Sequence, residues 1–284
     1  MVTAGRRRAI AVAAVAVVAA LAGLGAGYAL WSPPDWYADR TPDRLPPGPE
    51  NDLVRYGWQI VVETPQHIGP LAADPAKRYA GNALACTNCH LDAGLKPFAA
   101  PFVSTVASYP MFADDTVVTL TERINGCLVR SLNGAEMPPE GREMQALLAY
   151  LRWLGTGTPE GVRVAGMGLM PMADPAETPD AGRGRTVYAA QCARCHGAGG
   201  EGEPNVAPAV GWSVPPLWGA DSFNAEAGMA HITMAAAFIR ANMPRGVKYD
   251  KPRLTPQEAW DVAAFVTSQP RPPRPGEAPV APAE

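Results

Sequence analysis

Two stretches of the chain carry apolar residues at helical spacing and occupy equivalent places in two similar segments. In Glu143–Trp153 (EMQALLAYLRW), Met144, Leu147, Leu148, Leu151 and the adjoining Leu154 fall on one face, which predicts an amphipathic helix. Pro256–Thr267 (PQEAWDVAAFVT) repeats the pattern with Ala259, Val262, Ala263 and Val266. Pro256 suits a first helical turn and Thr255 before it suits a cap. Period-two alternation is scarce, so the expected class is all-α with long irregular loops. A third pattern opens the chain: Arg6-Arg7-Arg8 precede 22 uncharged residues, Ala9 to Leu30. A basic start before an apolar run is an export signal, and this run is long enough to span a bilayer core of about 30 Å. Residues 1–30 therefore fit a cleaved signal and an uncleaved anchor equally, the anchor being residues 9–30. The arginines stay on the cytoplasmic side. The remainder is expected to be exported to the periplasm, either free or held at the inner membrane.

Proline sets the divisions. Residues 31–50 hold Pro33, Pro34, Pro42, Pro46, Pro47 and Pro49, the composition of a semi-rigid spacer. A Gly/Pro-rich linker is expected at 156–178 and a disordered tail at 271–284. Two bodies remain, 51–155 and 179–270. With 28 glycines and 31 prolines in 284 residues, the chain is too rich in chain breakers for a plain helix bundle, while 47% hydrophobic content still supplies a core. A net charge of −3 argues against nucleic acid as a partner, and means that any anionic substrate needs a local cluster of cations.

The two bodies are weak repeats of each other. One contains Cys86-Thr87-Asn88-Cys89-His90, the other Cys192-Ala193-Arg194-Cys195-His196. C-x-x-C-H is the attachment signature of c-type haem: two thiols on adjacent turns reach the porphyrin edge, and the imidazole that follows reaches the iron. A zinc half-site would want a second ligand pair close by, and a redox dithiol has no need of the histidine. Two covalent haem c groups are expected, bound through Cys86, Cys89, Cys192 and Cys195, with His90 and His196 as proximal ligands. A large apolar cofactor also explains how small, loop-rich domains obtain enough core. Forty-seven residues after each histidine stands a Met-Pro pair, Met137-Pro138 and Met243-Pro244. Met243 is the leading distal ligand of the second haem, ahead of Met229, Met234 and His231, which read as core or surface. His67 reads as structural, and Met167, Met170 and Met172 as packing between the domains.

The distal side of the first haem has two claimants. Internal symmetry favours Met137 and two ordinary electron carriers. Cys127, the fifth and unpaired cysteine, is a buried thiol, a thiol paired with another molecule, or a reactive one serving as iron ligand or nucleophile. A thiolate would stabilise ferric iron and lower the potential. Arg123 and Arg130 flank Cys127 and could hold an anion, although Glu122, Glu136, Glu140 and Glu143 balance them as a solvated face would.

The stretch from Tyr56 to Gly155 resembles the N-terminal domain of dihaem c-type thiosulfate dehydrogenases, which also work as tetrathionate reductases. The resemblance rests on Ile68-Gly69-Pro70, on RYAGNALACTNCHLDAGLKPF (Arg78–Phe98), on ERINGCLVRSLNG (Glu122–Gly134) and on REMQALLAYLRWL. It implies two cytochrome c-like haem domains joined by the linker. It also implies Cys127 as the distal ligand of a catalytic first haem, with Arg123 and Ser131 lining the substrate pocket. In some members a lysine precedes the second-haem methionine and competes for iron; here Asn242 stands there, which implies simple His196/Met243 ligation. The activity implied is coupling of two thiosulfates to tetrathionate, with electrons passing to an external cytochrome or similar acceptor. Two alternatives stand beside it: a non-enzymatic dihaem carrier with two His/Met haems, and a cytochrome subunit that loads sulfur onto a carrier protein.

Overall fold

The computed structural model describes residues 36–38, 40–113, 115–162 and 164–277. The expected signal or anchor at 1–30, the start of the spacer and the end of the tail lie outside the described residues. Six helices of eleven or more residues carry the fold, three to each half: α1 Pro49–Val62, α2 Leu120–Arg130 and α3 Arg142–Leu154, then α4 Ala181–Gln191, α5 Ile232–Asn242 and α6 Pro256–Thr267. Two short antiparallel hairpins accompany them, β1 Met111–Ala113 with β2 Thr116–Val118, and β3 Glu203–Pro204 with β4 Trp212–Val214. None of the described helices is long and apolar enough to cross a membrane.

The sequence pattern accounts for the helix ends. α6 starts where expected: the Thr255 hydroxyl accepts the Glu258 N–H (3.2 Å), and the Glu258 carboxylate accepts the Thr255 N–H (2.8 Å). Thr119 and Glu122 make the same reciprocal cap at the start of α2, satisfying donors the first turn leaves free.

Each half is closed by its first helix crossing its last. Glycine makes both crossings possible. A Cβ on Gly57 of α1 would lie 2.0 Å from the Ala146 carbonyl oxygen of α3, and one on Gly184 of α4 would lie 1.9 Å from that of Asp261 in α6. The first core gathers Ile60, Val61, Ile68, Met144, Leu147, Tyr150, Leu151 and Leu154. Each of the large aliphatic side chains contributes about 1.5–3 kcal/mol on burial. At the second crossing Arg183 donates through Nε to Asp261 Oδ2 (2.7 Å) and through Nη2 to Oδ1 (2.9 Å). Tyr188, Trp218 and Phe265 stack beside it.

The halves are not separate in packing. Phe223 and Ala227, late in the sequence, belong to the first core. Asn133 donates to the Ser222 carbonyl (2.8 Å), and Asn224 donates to that of Val129 (2.9 Å). The Gly/Pro-rich connection is a bonded strap: the Trp260 indole donates to Ala173 O (3.1 Å), and Met172 packs against Ala235, Ala236 and Trp260. At the start of the Pro-rich tail one side chain is bonded to the body. Arg271 donates to Val266 O (2.7 Å) and Leu217 O (3.2 Å), and its guanidinium lies 4.6 Å from the centre of the Phe223 ring. A cation with an aromatic face and two carbonyls to meet stays on the body.

Candidate functional site

Both C-x-x-C-H segments coil tightly, which brings each histidine back over the first cysteine of its motif. Cys86–Asn88 is a single 3₁₀ turn; Asn88 Oδ1 accepts the Ala85 N–H (2.8 Å), and Thr64 Oγ1 accepts the Cys86 N–H (3.0 Å). The His90 N–H then bonds back to Cys86 O (2.9 Å), and in the second motif the His196 N–H bonds to Cys192 O (3.0 Å).

Each histidine is oriented by a carbonyl. His90 Nδ1 lies 2.7 Å from Ala100 O, and His196 Nδ1 lies 3.0 Å from Pro215 O. A carbonyl only accepts, so Nδ1 carries the proton and Nε2 keeps its lone pair, the arrangement a metal-ligating imidazole needs. Burial pushes the His90 imidazolium down to about 4 and lowers that of His196, keeping both rings in the neutral, ligating form. Burial likewise raises the thiols of Cys86 to about 11, Cys89 to about 12 and Cys192 to about 11. None of the five cysteines forms a disulfide. A thiol pair beside an oriented imidazole, half-buried in the first motif and with Cys195 exposed in the second, fits a covalently bound haem in each half.

On the second side, α5 ends at Asn242, and Met243 follows in extended conformation, half-buried, its N–H bonded to Ile239 O (2.8 Å). His231 is the residue before the helix, and Met234 is 38% exposed on it.

On the first side, α2 brings Arg123 and Cys127 onto one helical face, one turn apart. Ser131 ends the helix; its N–H reaches Cys127 O (2.8 Å), and its carbonyl accepts from Asn82 Nδ2 (3.1 Å). The half-buried Cys127 sulfur is within electrostatic reach of Cys86 and Cys89. Arg123 reaches the same group: its guanidinium is held above its ordinary value, first by its interaction with Cys127. Arg130 folds back over Gly126, where a Cβ would lie 2.7 Å from Nη2. Met137 is 1% exposed and packed in the first core.

One member of this cluster carries no signal in the sequence. The Tyr109 phenol sits against Arg123 and Cys127, and its own ionisation is raised chiefly by burial. It precedes the β1–β2 hairpin, and nothing in its local pattern separates it from the other tyrosines.

Comparison with known proteins agrees with this architecture. Residues 76–159 match the SoxA/TsdA cytochrome c domain, and residues 181–270 match the cytochrome c family. Two cytochrome c domains mean two covalently bound haem c groups. The chain is 40% identical to a thiosulfate dehydrogenase of Thiomonas intermedia over 88% of its own length and 74% of that protein's. It is 38% identical to one of Stutzerimonas stutzeri, covering 88% and 76%. Among solved structures it resembles the thiosulfate dehydrogenase TsdBA of Marichromatium purpuratum, with a TM-score of 0.73 and 38% identity. That match covers 88% of this chain and 51% of the other, so the chain spans about half the length of that protein. Two haem-attachment domains of this arrangement, matched across most of their length by curated relatives of one activity, place the chain in the thiosulfate dehydrogenase family.

Proposed function

We propose that the protein oxidises thiosulfate to tetrathionate at the first haem domain and passes the electrons through the second to an external acceptor. The observation that carries this reading is the grouping on α2: a free sulfur, Cys127, beside Arg123 and within reach of the haem-attachment thiols. His90 and Cys127 would hold the first iron, and His196 and Met243 the second. When bound, the two haems supply one-electron acceptors for the two electrons the reaction releases.

The chain's own residues handle charge and sulfur. Two dianions must approach one another, and Arg123, Arg130, the Ser131 hydroxyl and Tyr109 provide donors that offset the repulsion. The Cys127 sulfur bonds to the outer sulfur of one thiosulfate, with loss of two electrons. The second thiosulfate attacks that outer sulfur, forming the central bond of tetrathionate and displacing Cys127 as thiolate. Charge and atoms balance: two thiosulfates give one tetrathionate and two electrons, and the cysteine is regenerated. The same steps run backwards as tetrathionate reduction.

Covalent haem attachment and the basic-apolar start of the sequence support a periplasmic location, with residues 9–30 as the segment that would anchor it. The acceptor is an external cytochrome or similar redox protein. Adding thiosulfate to the purified oxidised holoprotein tests the function. Haem reduction with stoichiometric tetrathionate is expected. Haems that stay oxidised until a separate reduced cytochrome is supplied would reduce the protein to an electron carrier.

A further inference from the structure

Three residues of loop, Phe98–Ala100, bond to His90 at one end and to Asn242, the residue before Met243, at the other. Phe98 (φ 58°) and Ala100 (φ 48°) both occupy left-handed backbone space, which residues bearing a Cβ seldom adopt, so the surroundings must hold them there. The hold is detailed. The inter-domain strap takes the Phe98 N–H at Gly166 O (2.6 Å) and the Ala100 N–H at Gly168 O (2.9 Å). The Phe98 ring meets Tyr249 edge-on with centroids 4.8 Å apart. From the second domain, Asn242 Nδ2 donates to Phe98 O (3.0 Å) as well as to Phe238 O in its own helix (3.2 Å). Asn242 is only 2% exposed, so this bond is made without competition from solvent. Two residues after Phe98, the Ala100 carbonyl is the acceptor that orients His90.

We propose that Asn242 is a positioning residue that couples the two haem sites, tying the segment that presents Met243 to the left-handed loop whose Ala100 carbonyl orients His90. The inference rests on the reading of His90 and Met243 as iron ligands. A carbonyl accepting from the Nδ1–H of a ligating histidine makes that ligand more basic, which favours ferric iron and lowers the potential. Asn242 thereby helps keep the first haem low in potential from a position next to the ligand of the second. By the reciprocity of coupling, a rearrangement at Met243 is felt at His90 and the reverse.

The test is a potentiometric titration of the full-length holoprotein, following each haem by its own electron paramagnetic resonance signal. In Asn242→Leu, close in shape and uncharged, the first-haem midpoint is expected to move to more positive potential. At a fixed poise its reduced-to-oxidised ratio rises several-fold. The second haem keeps its thioether-bound signature. Asn242→Gln, which retains a donor, is expected to return the midpoint toward the wild-type value. A first-haem midpoint identical to wild type in Asn242→Leu, or a shift confined to the second haem, overturns the proposal. Asn242→Ser carries the same expectation where the leucine variant does not take up both haems. Failure of the underlying ligand reading shows elsewhere, as a wild-type second haem with no thioether signature.

Discussion

The side chain of Asn125 holds the backbone of Met137 at both ends: Nδ2 donates to Met137 O and Oδ1 accepts the Met137 N–H, each at 3.0 Å. Asn125 is itself buried on α2, two residues before Cys127. The hold fixes where Met137 enters the core, beside Leu128 and Met144. It also ties the Met137 loop to the helix that carries the competing sulfur.

If Cys127 is the distal ligand, Met137 acts only through packing. Met137→Leu conserves volume and is expected to cost under about 1.5 kcal/mol, and Met137→Ala about 2–5 kcal/mol. Chemical denaturation measures both. The low-spin signature of the first ferric haem should be the same in Met137→Leu as in the wild type. A changed axial field in that variant would transfer the ligand role to Met137 and leave a protein that only carries electrons.

Cys127→Ala is expected to lower thiosulfate oxidation by at least about three orders of magnitude, the scale on which loss of a covalent nucleophile acts. Attachment through Cys86, Cys89, Cys192 and Cys195 is independent of it, so haem content should stay at two per chain. Turnover near the wild-type rate in a fully loaded variant would remove Cys127 from the chemistry.

Arg123 is exposed and acts on an anion that arrives from solvent. Arg123→Gln removes a charge-assisted hydrogen bond of about 1.5–3 kcal/mol, predicting a loss of roughly 10- to 100-fold in kcat/KM for thiosulfate. The wild-type KM should rise with ionic strength, and that dependence should flatten in the variant. The midpoint of the second haem should not move. Equal salt dependence in the two proteins would assign Arg123 to the solvated face of α2.

Asp261 gives the second domain a definite pH response. Burial disfavours its charge, but Arg183, the Asp180 N–H and Gln257 outweigh that and hold the carboxyl below its ordinary value. A depressed carboxylate contributes stability above its unfolded pKa of about 3.9, and that contribution is lost as pH falls through the lower folded value. Melting of the second domain should therefore be insensitive to Asp261 between pH 5 and 7, roughly, and weaken below about pH 4. Asp261→Asn should lower stability by about 1.5–3 kcal/mol at neutral pH and remove that part of the acid slope. An unchanged slope would mean that other carboxylates dominate.

What was legible in the sequence follows from how far apart the interacting parts are. The haem-attachment motifs are contiguous because one porphyrin edge must be met by neighbouring turns. The closing helices α3 and α6 show in their periodicity, and the Thr255 cap in a single residue type. The carbonyls of Ala100 and Pro215 that orient the histidines were not legible, since any residue supplies a carbonyl. Tyr109 joins Arg123 and Cys127 through a loop whose path no local pattern specifies. The division into two bodies was readable as chemistry, one motif in each, but not as packing, because Phe223 completes the core of the first from within the sequence of the second.

That borrowed phenylalanine has a consequence for assembly. A chain that emerges amino end first exposes the Cys86–His90 motif long before residue 223 has followed. Over that interval the first core lacks one of its buried rings. A first half made without the later sequence would lack the Phe223 ring that packs in its core. Truncation upstream of that position should yield a half-protein that collapses or aggregates instead of a working module.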